Sequence, residues 1–289
     1  MTIAGLSEES SSSVVLVTEG QLQNFKIHYN DAGQGEAVVM LHGSGAGATS
    51  WANFHGNVDA FVEAGFRVVL IDLPGWGKSD PIVVETGSRN VINAAAVKGV
   101  FDVLGLGKAY LVGNSMGGIT ALQFAASYPE RVIKLVTMGG AAGGPNILTP
   151  TPTEGIKRLN ELYIDPTRAN MDRMLEIFVH DPSRLTEALR EMRYTNMLAR
   201  RDHLENFAKT ARVNPTHQLI PQVANNLAAI KVPVLAVWGA GDRFVPLEAG
   251  MRLLAIPDCR LHIFNRCGHW AQWEHADAFN RLVIDFLTL

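Results

Sequence analysis

The chain has little of what would mark a disulfide scaffold, a metalloprotein or a membrane protein. Its 289 residues include only two cysteines, Cys259 and Cys267, too few for a disulfide framework. It has no HExxH and no CxxC, so no metal site is expected. No apolar run approaches the ~20 residues of a membrane span. The N-terminal "MTIAGLSEESSSS" lacks a basic region followed by an apolar stretch, so it does not read as a secretory signal. Its Ser/Glu content reads instead as a short disordered lead-in, and a cytoplasmic location is the default expectation. The formal net charge is only −3, so no overall basic field invites nucleic acid. Nothing in the pattern calls for a cofactor.

What is present is an ordinary globular composition, 47% hydrophobic and 18% charged, in which short β-rich runs alternate with helical ones. "SVVLVTE" and "FKIHYND" read as an opening antiparallel pair. "AVVMLHG", "FRVVLIDL", "KAYLVGN", "VIKLVTMG", "VPVLAVWG" and "CRLHIFN" read as strands, the first two continuous apolar runs of the kind buried on both faces. In the last helical stretch Phe279, Leu282, Val283 and Phe286 fall at helical spacing. Such alternation predicts an α/β fold with a mostly parallel sheet flanked by helices. One interval breaks it. A Gly/Pro/Thr-rich stretch at 138–155 is followed by about sixty residues without a convincing strand, and strands resume near Val232. The expected organisation is a core of residues 1–143 and 214–289 with an inserted helical lid at 144–213.

The stretch "LVGNSMGGIT" carries the first chemical signal. Gly113-Asn114-Ser115-Met116-Gly117 fits G-x-S-x-G directly between a strand and a helix, the context of a nucleophile elbow. Such a turn strains the serine backbone, exposes its hydroxyl at the sheet's end, and needs glycines where side chains would clash. The Met116 N–H, at the helix N-terminus, would face a developing oxyanion. The competing reading is a helix cap, a frequent role of serine.

A serine hydroxyl needs a base oriented by an acid. The order expected after an elbow is Asp or Glu, then His. Asp242 in "WGAGDRFVP" and His269 in "RCGHWAQWEH" each follow a strand and complete that order. Asp72 precedes the serine and reads as structural, as does His42. His275 is expected to face solvent. A second oxyanion donor is expected from the loop His42-Gly43-Ser44-Gly45-Ala46-Gly47, whose glycines let backbone approach a ligand. It is not a phosphate loop, because no Lys-Ser/Thr follows.

Taken with "LHGSGAGATSWANF", "DLPGWGKSD", "RRDHLENF" and "CGHWAQWEHADAFN", these motifs resemble the α/β-hydrolase fold. Within it they resemble the meta-cleavage product hydrolases of bacterial aromatic degradation over nearly the full length. The likeness is greatest to members acting on 2-hydroxy-6-oxonona-2,4-dienedioate, and biphenyl-pathway members are also similar. The resemblance implies a small-molecule dienoate substrate, cleavage of its C5–C6 bond, no membrane or nucleic-acid partner, and a homo-oligomer, dimeric or tetrameric. It implies that Asn53, Asn114 and Arg193 hold the dienoate and its carboxylate. Trp270 would wall that subsite, and Phe178 would line the far pocket. From the residues alone Arg193 is one arginine among several on a polar helix, where a solvated face is expected. Many relatives carry Pro where this chain has Ala46, which implies a less rigid oxyanion loop.

Other activities share the Ser-Asp-His order. The main one is a carboxylesterase; a cofactor-free haloperoxidase and a ligand receptor on a hydrolase scaffold are others. A haloalkane dehalogenase would carry Asp at the elbow. No residue in the sequence identifies itself as a partner for a charged substrate tail, and tail specificity stays open at this level.

Overall fold

A computed structural model describes residues 6–140, 149–217 and 226–289. Eight strands form one sheet: β1 (Ser12–Glu19), β2 (Leu22–Ala32), β3 (Ala37–Leu41), β4 (Arg67–Ile71), β5 (Ala109–Asn114), β6 (Val132–Met138), β7 (Val234–Gly239) and β8 (Cys259–Phe264). Their spatial order is β1-β2-β4-β3-β5-β6-β7-β8. The β1/β2 and β2/β4 pairs are antiparallel, and every pair from β4/β3 to β7/β8 is parallel. The central strands β3 and β5 are buried at every residue, as strands covered on both faces must be. Edge strands β1 and β8 mix buried or half-buried positions with exposed ones.

Helices α1 (Ser50–Glu63), α2 (Arg89–Val103) and α3 (Met116–Ser127) flank the sheet, with Ala276–Thr288 closing the chain. One apolar cluster packs Val97, Phe101 and Phe124 of α2 and α3 on one face. The other joins Phe54 and Phe61 of α1 to Phe279 and Val283 of the last helix. Full burial of each such side chain contributes roughly 1.5–3 kcal/mol. Phe279, Val283 and Phe286 do face the core, while Leu282 is only partly buried.

Between β6 and β7 lie α4 (Glu154–Ile164), α5 (Arg168–Phe178), α6 (Glu187–Ala199) and α7 (Arg201–Val213). Their apolar faces form a third cluster, including Leu159, Met174 and Leu189, which also takes in Phe244 and Trp270 from loops at the sheet's end. The expected boundary at 143/144 lies outside the described residues.

The N-terminal serines depart from expectation. Ser12 and Ser13 belong to β1, and the Ser11 N–H closes a turn on the Ser7 carbonyl at 3.2 Å. The cross-strand ladder to β2 supplies backbone partners that composition cannot register. Residues 1–5 lie outside the described set.

Asp72, after β4, is structural as expected. It accepts from the Ser50 N–H (2.8 Å) and the Lys78 N–H (3.1 Å), and contacts His28 Nδ1 at 2.8 Å. Burial alone would raise its carboxyl; the His28 contact and nearby His42 outweigh that and hold it below the usual range. His42 Nε2 accepts from the Leu73 N–H at 3.0 Å, and its Nδ1 lies 2.7 Å from the Gly43 carbonyl. It supports the loop after β3 from below. His275 departs from its expectation: it is half-buried and stacks on Phe264, with ring centroids 5.1 Å apart.

Candidate active site

Parallel strands place all their C-terminal ends on one edge of the sheet. Ser115 follows β5, Asp242 follows β7 and His269 follows β8, so residues up to 154 positions apart in sequence meet there.

Ser115 has φ 52° and ψ −117°, a conformation costing on the order of 1–3 kcal/mol for a non-glycine residue. A Cβ at Gly113 would strike the Gly117 carbonyl, one at Gly117 the Leu41 carbonyl, and one at Gly118 the Thr137 hydroxyl. The capping reading fails on geometry. Helices α1, α2, α4, α5 and α6 each begin with a Ser or Thr whose side chain accepts from the first turn. Ser115, at the same position of α3, makes no such bond, so its hydroxyl points elsewhere.

His269 Nδ1 lies 2.7 Å from Asp242 Oδ2, with both side chains 1% exposed. The other carboxylate oxygen accepts from the N–H groups of Phe244 (2.7 Å) and Val245 (2.9 Å). The carboxylate therefore cannot turn away, and it fixes the proton on Nδ1. His269 Nε2 is buried without a hydrogen-bond partner among the described residues. The histidine loop is clamped in turn. Its His269 N–H donates to the Phe178 carbonyl at 2.7 Å, and buried Glu274 accepts from the N–H groups of Gly268 (2.6 Å) and His180 (2.7 Å).

Ser115 and His269 line one small cavity with Gly43, Ser44, Asn53, Asn114, Phe178, Phe244, Arg193 and Trp270. Its volume is about 10 Å³, room for about one water. The solvated-face reading of Arg193 is overturned: the side chain is 1% exposed. Its guanidinium carbon lies 5.5 Å from the Trp270 ring, and Nη2 donates to the Ala46 carbonyl at 3.3 Å. Nε is unpartnered among the described residues, and no carboxylate there pairs with it. Burial pushes this arginine down to about 10, which still leaves it cationic. Gly47, at φ +72°, lets the loop meet α6, since a Cβ there would strike the Arg193 carbonyl.

Several expected roles change. The Gly43 N–H is committed to Asn53 Oδ1 at 3.1 Å, which leaves the next residue, Ser44, to supply a loop N–H, one without a hydrogen-bond partner among the described residues. Asn53 thus holds the loop through one lone pair of Oδ1, and its amide NH2 remains a donor for a ligand. Gly45 lines neither this cavity nor its neighbour; its carbonyl accepts from Trp76 Nε1 at 3.1 Å. Asn114 Oδ1 is a buried acceptor without a partner among the described residues. Phe178 lies beside Trp270, rings 4.5 Å apart at 13°, on the arginine side rather than in a far pocket.

A second cavity of about 160 Å³ shares Ser44, Ser115 and Phe244 with the first and adds Met116, Ile119, Gly139, Ile156, Leu159, Phe207, Val245, Arg89 and Asn90. Sequence reasoning passed over Phe244, which stacks on His269 at 5.1 Å, and Arg89. A signal for Arg89 existed: an arginine opening a helix opposes the helix dipole, and no acidic residue accompanies it in the first turn. A larger surface cleft of about 450 Å³, at Lys26, Lys78 and Arg200, contains none of the expected site residues.

The comparisons agree with this geometry. Residues 36–276 match the alpha/beta hydrolase fold family model. A 2-hydroxy-6-oxononadienedioate/2-hydroxy-6-oxononatrienedioate hydrolase of Burkholderia vietnamiensis is 57% identical over 283 residues, 97% of each chain. The chain belongs to the α/β-hydrolases, among the meta-cleavage product hydrolases. Two solved structures of this family superpose on it with TM-scores of 0.82. One is a meta-cleavage product hydrolase from Pseudomonas fluorescens IP01, 29% identical, covering 96% of this chain and 97% of its own. The other is a 2-hydroxy-6-oxo-6-phenylhexa-2,4-dienoate hydrolase from Rhodococcus sp. strain RHA1, 26% identical, covering 96% and 100%. Membership makes this α/β-hydrolase an enzyme. None of its described helices is long and apolar enough to cross a membrane.

Proposed function

We propose that this meta-cleavage product hydrolase cleaves the C5–C6 bond of a 2-hydroxy-6-oxo-2,4-dienoate, with Ser115, His269 and Asp242 as its catalytic triad. The carrying observation is the buried Arg193, without a carboxylate partner among the described residues, in the same small cavity as Ser115 and His269. Ester hydrolysis needs no cation there. A carboxylate does, because an uncompensated buried charge is costly on either side.

In this reading Arg193 holds the C1 carboxylate and Trp270 flanks it. Asn114 Oδ1, a buried acceptor without a partner among the described residues, accepts a hydrogen bond from the 2-hydroxyl. His269 Nε2 removes that proton, and C5 receives one as the dienol becomes a ketone. The C6 carbonyl then accepts a nucleophile: Ser115 Oγ itself, or a water that Ser115 holds and His269 deprotonates. The Ser44 and Met116 N–H groups stabilise the oxyanion. As the C5–C6 bond breaks, its electron pair goes to C5 and on into the dienolate. The products are 2-hydroxypenta-2,4-dienoate and a carboxylic acid, with one water consumed. The arginine cavity is too small for a dienoate as it stands, so helices α4–α6 act as the lid that opens to admit it.

The test is a panel of dienoates with succinyl-type, methyl and phenyl tails, followed by loss of the yellow dienolate absorbance, beside p-nitrophenyl esters. Rapid ester turnover with no loss of dienolate from any member would replace this reading with a carboxylesterase.

A further inference from the structure

Glu274 ends the short helix Ala271–Glu274 and is 4% exposed. Its carboxylate reaches two segments of the chain at once. Oε2 accepts from the Gly268 N–H at 2.6 Å, directly before the base. Oε1 accepts from the His180 N–H at 2.7 Å and the Asp181 N–H at 3.3 Å, just past the end of α5 in the lid. No lysine or arginine forms an ion pair with it among the described residues. A buried carboxylate without a cation is held in place only by donors that meet both its oxygens. The neighbouring Cys267 thiol adds no second anion, because burial and then the charge of Glu274 push it up and keep it protonated.

The same lid segment carries the histidine loop by other bonds. The Phe178 carbonyl accepts from the N–H groups of both His269 (2.7 Å) and Trp270 (3.1 Å). A Cβ at Gly268 would lie 2.7 Å from that carbonyl oxygen, so a glycine is what lets the loop lie this close to the lid. The Phe178 ring stacks on the His269 imidazole, centroids 5.6 Å apart. The acid loop is tied to the same helix end, because Arg243 Nη2 donates to the Glu176 carbonyl at 2.8 Å. Asp242 fixes the proton on His269, but it does not by itself fix the backbone on which His269 stands. That is set by the acceptors of the Gly268, His269 and Trp270 N–H groups, and each of these is Glu274 or the lid's Phe178. Lid opening that moves the end of α5 either breaks these bonds or carries His269 away with it.

We propose that Glu274 is a positioning residue that couples the lid to the base, seating His269 for catalysis when the lid is closed. It lines neither cavity and acts through His269 alone. This rests on the reading of His269 as the base and adds how lid closure completes the site. Such an enzyme assembles its base as the lid shuts over the substrate.

The experiment measures Glu274→Gln alone and combined with His269→Ala. An amide offers one acceptor oxygen and turns an NH2 toward the N–H on the other side, so half of the clamp is lost. Alone, Glu274→Gln should lower kcat by ~10–10²-fold on a dienoate and on a p-nitrophenyl ester alike, because both reactions use His269. The dienoate KM should stay within about threefold of wild type, since no substrate contact is removed. In the His269→Ala enzyme the same change should alter the residual rate by less than about threefold, because two residues acting through one imidazole do not add. A merely structural role would lower both backgrounds by the same factor, which overturns the proposal. So does a Glu274→Gln enzyme with the kcat of wild type. Hydrogen exchange of the wild-type enzyme tests the coupling with no variant to fold. The amides of His180, Asp181, Gly268 and His269 should open as one unit with one opening free energy, and independent opening of the two segments overturns the proposal. A His269→Ala enzyme within about tenfold of wild type would overturn the triad reading, and this inference with it; a fully active Glu274→Gln beside a crippled His269→Ala overturns only the role of Glu274.

Discussion

Asp242 and His269 are joined Oδ2 to Nδ1 at 2.7 Å, and the Phe244 and Val245 N–H groups hold the other aspartate oxygen. Replacing the acid by its amide keeps the shape but no longer fixes the proton on Nδ1. Asp242→Asn should lower kcat by ~10³-fold or more while the unfolding midpoint shifts little. A variant within tenfold of wild type would mean that His269 is oriented by something else. His269→Ala should block ketonisation and cleavage alike, so that stopped-flow spectra show the dienolate persisting.

Ser115 occupies a strained conformation without capping its helix. Ser115→Ala should keep the fold and lose ~10³-fold or more in turnover. Ketonisation should survive in this variant better than cleavage, because His269 carries the proton. The opposite pattern, with Ser115→Ala blocking ketonisation and His269→Ala sparing it, would reverse the two roles.

Arg193 is buried without a counter-ion among the described residues, which makes its effects on function and stability opposite in sign. Arg193→Gln should lower kcat/KM on a dienoate by ~10²-fold or more. The loss on a p-nitrophenyl ester, which has no carboxylate, should be at least ~10-fold smaller. Arg193→Met, close in volume, should unfold at a temperature no lower than wild type, since a dry unpaired charge is removed. Equal losses on both substrates with a lower Tm would mark Arg193 as a structural element.

His203 titrates near 6.5 in an unfolded chain, whereas burial and then Arg89 push it down to about 3 in the native protein. Above pH ~6.5 both states are neutral and its contribution is complete. Between those values the unfolded chain binds a proton that the native one does not, so stability falls as pH falls. The loss is on the order of 4 kcal/mol by pH 3. Tm should therefore decline from pH 7 to pH 4, and His203→Gln, although less stable at pH 7, should decline less steeply. Parallel slopes would exclude His203 as the titrating group.

The sequence by itself determined the sheet, the elbow and the Ser-Asp-His order, because those signals are local. A strand buried on both faces must be largely apolar, as β3 is throughout and β5 is before Asn114, and a turn as tight as Ser115's needs Gly113 and Gly117 where no Cβ fits. Resemblance added Arg193, which the helical pattern of α6 alone would leave in solvent. Tertiary structure decided what depends on contacts between distant segments. Whether a guanidinium meets a carboxylate is a property of its surroundings, and among the described residues Arg193 and Arg89 meet none, because α6 packs Arg193 on the loop after β3 and α2 sets Arg89 against the Trp76 and Phe207 rings. The same holds for the Gly43 N–H, an expected oxyanion donor that Asn53 takes from ten residues away. It holds also for Phe244, which only the meeting of the loops after β7 and β8 brings against His269. Spacing along a chain reports periodicity and turn geometry, while charge compensation is settled only when the whole chain has closed around the site.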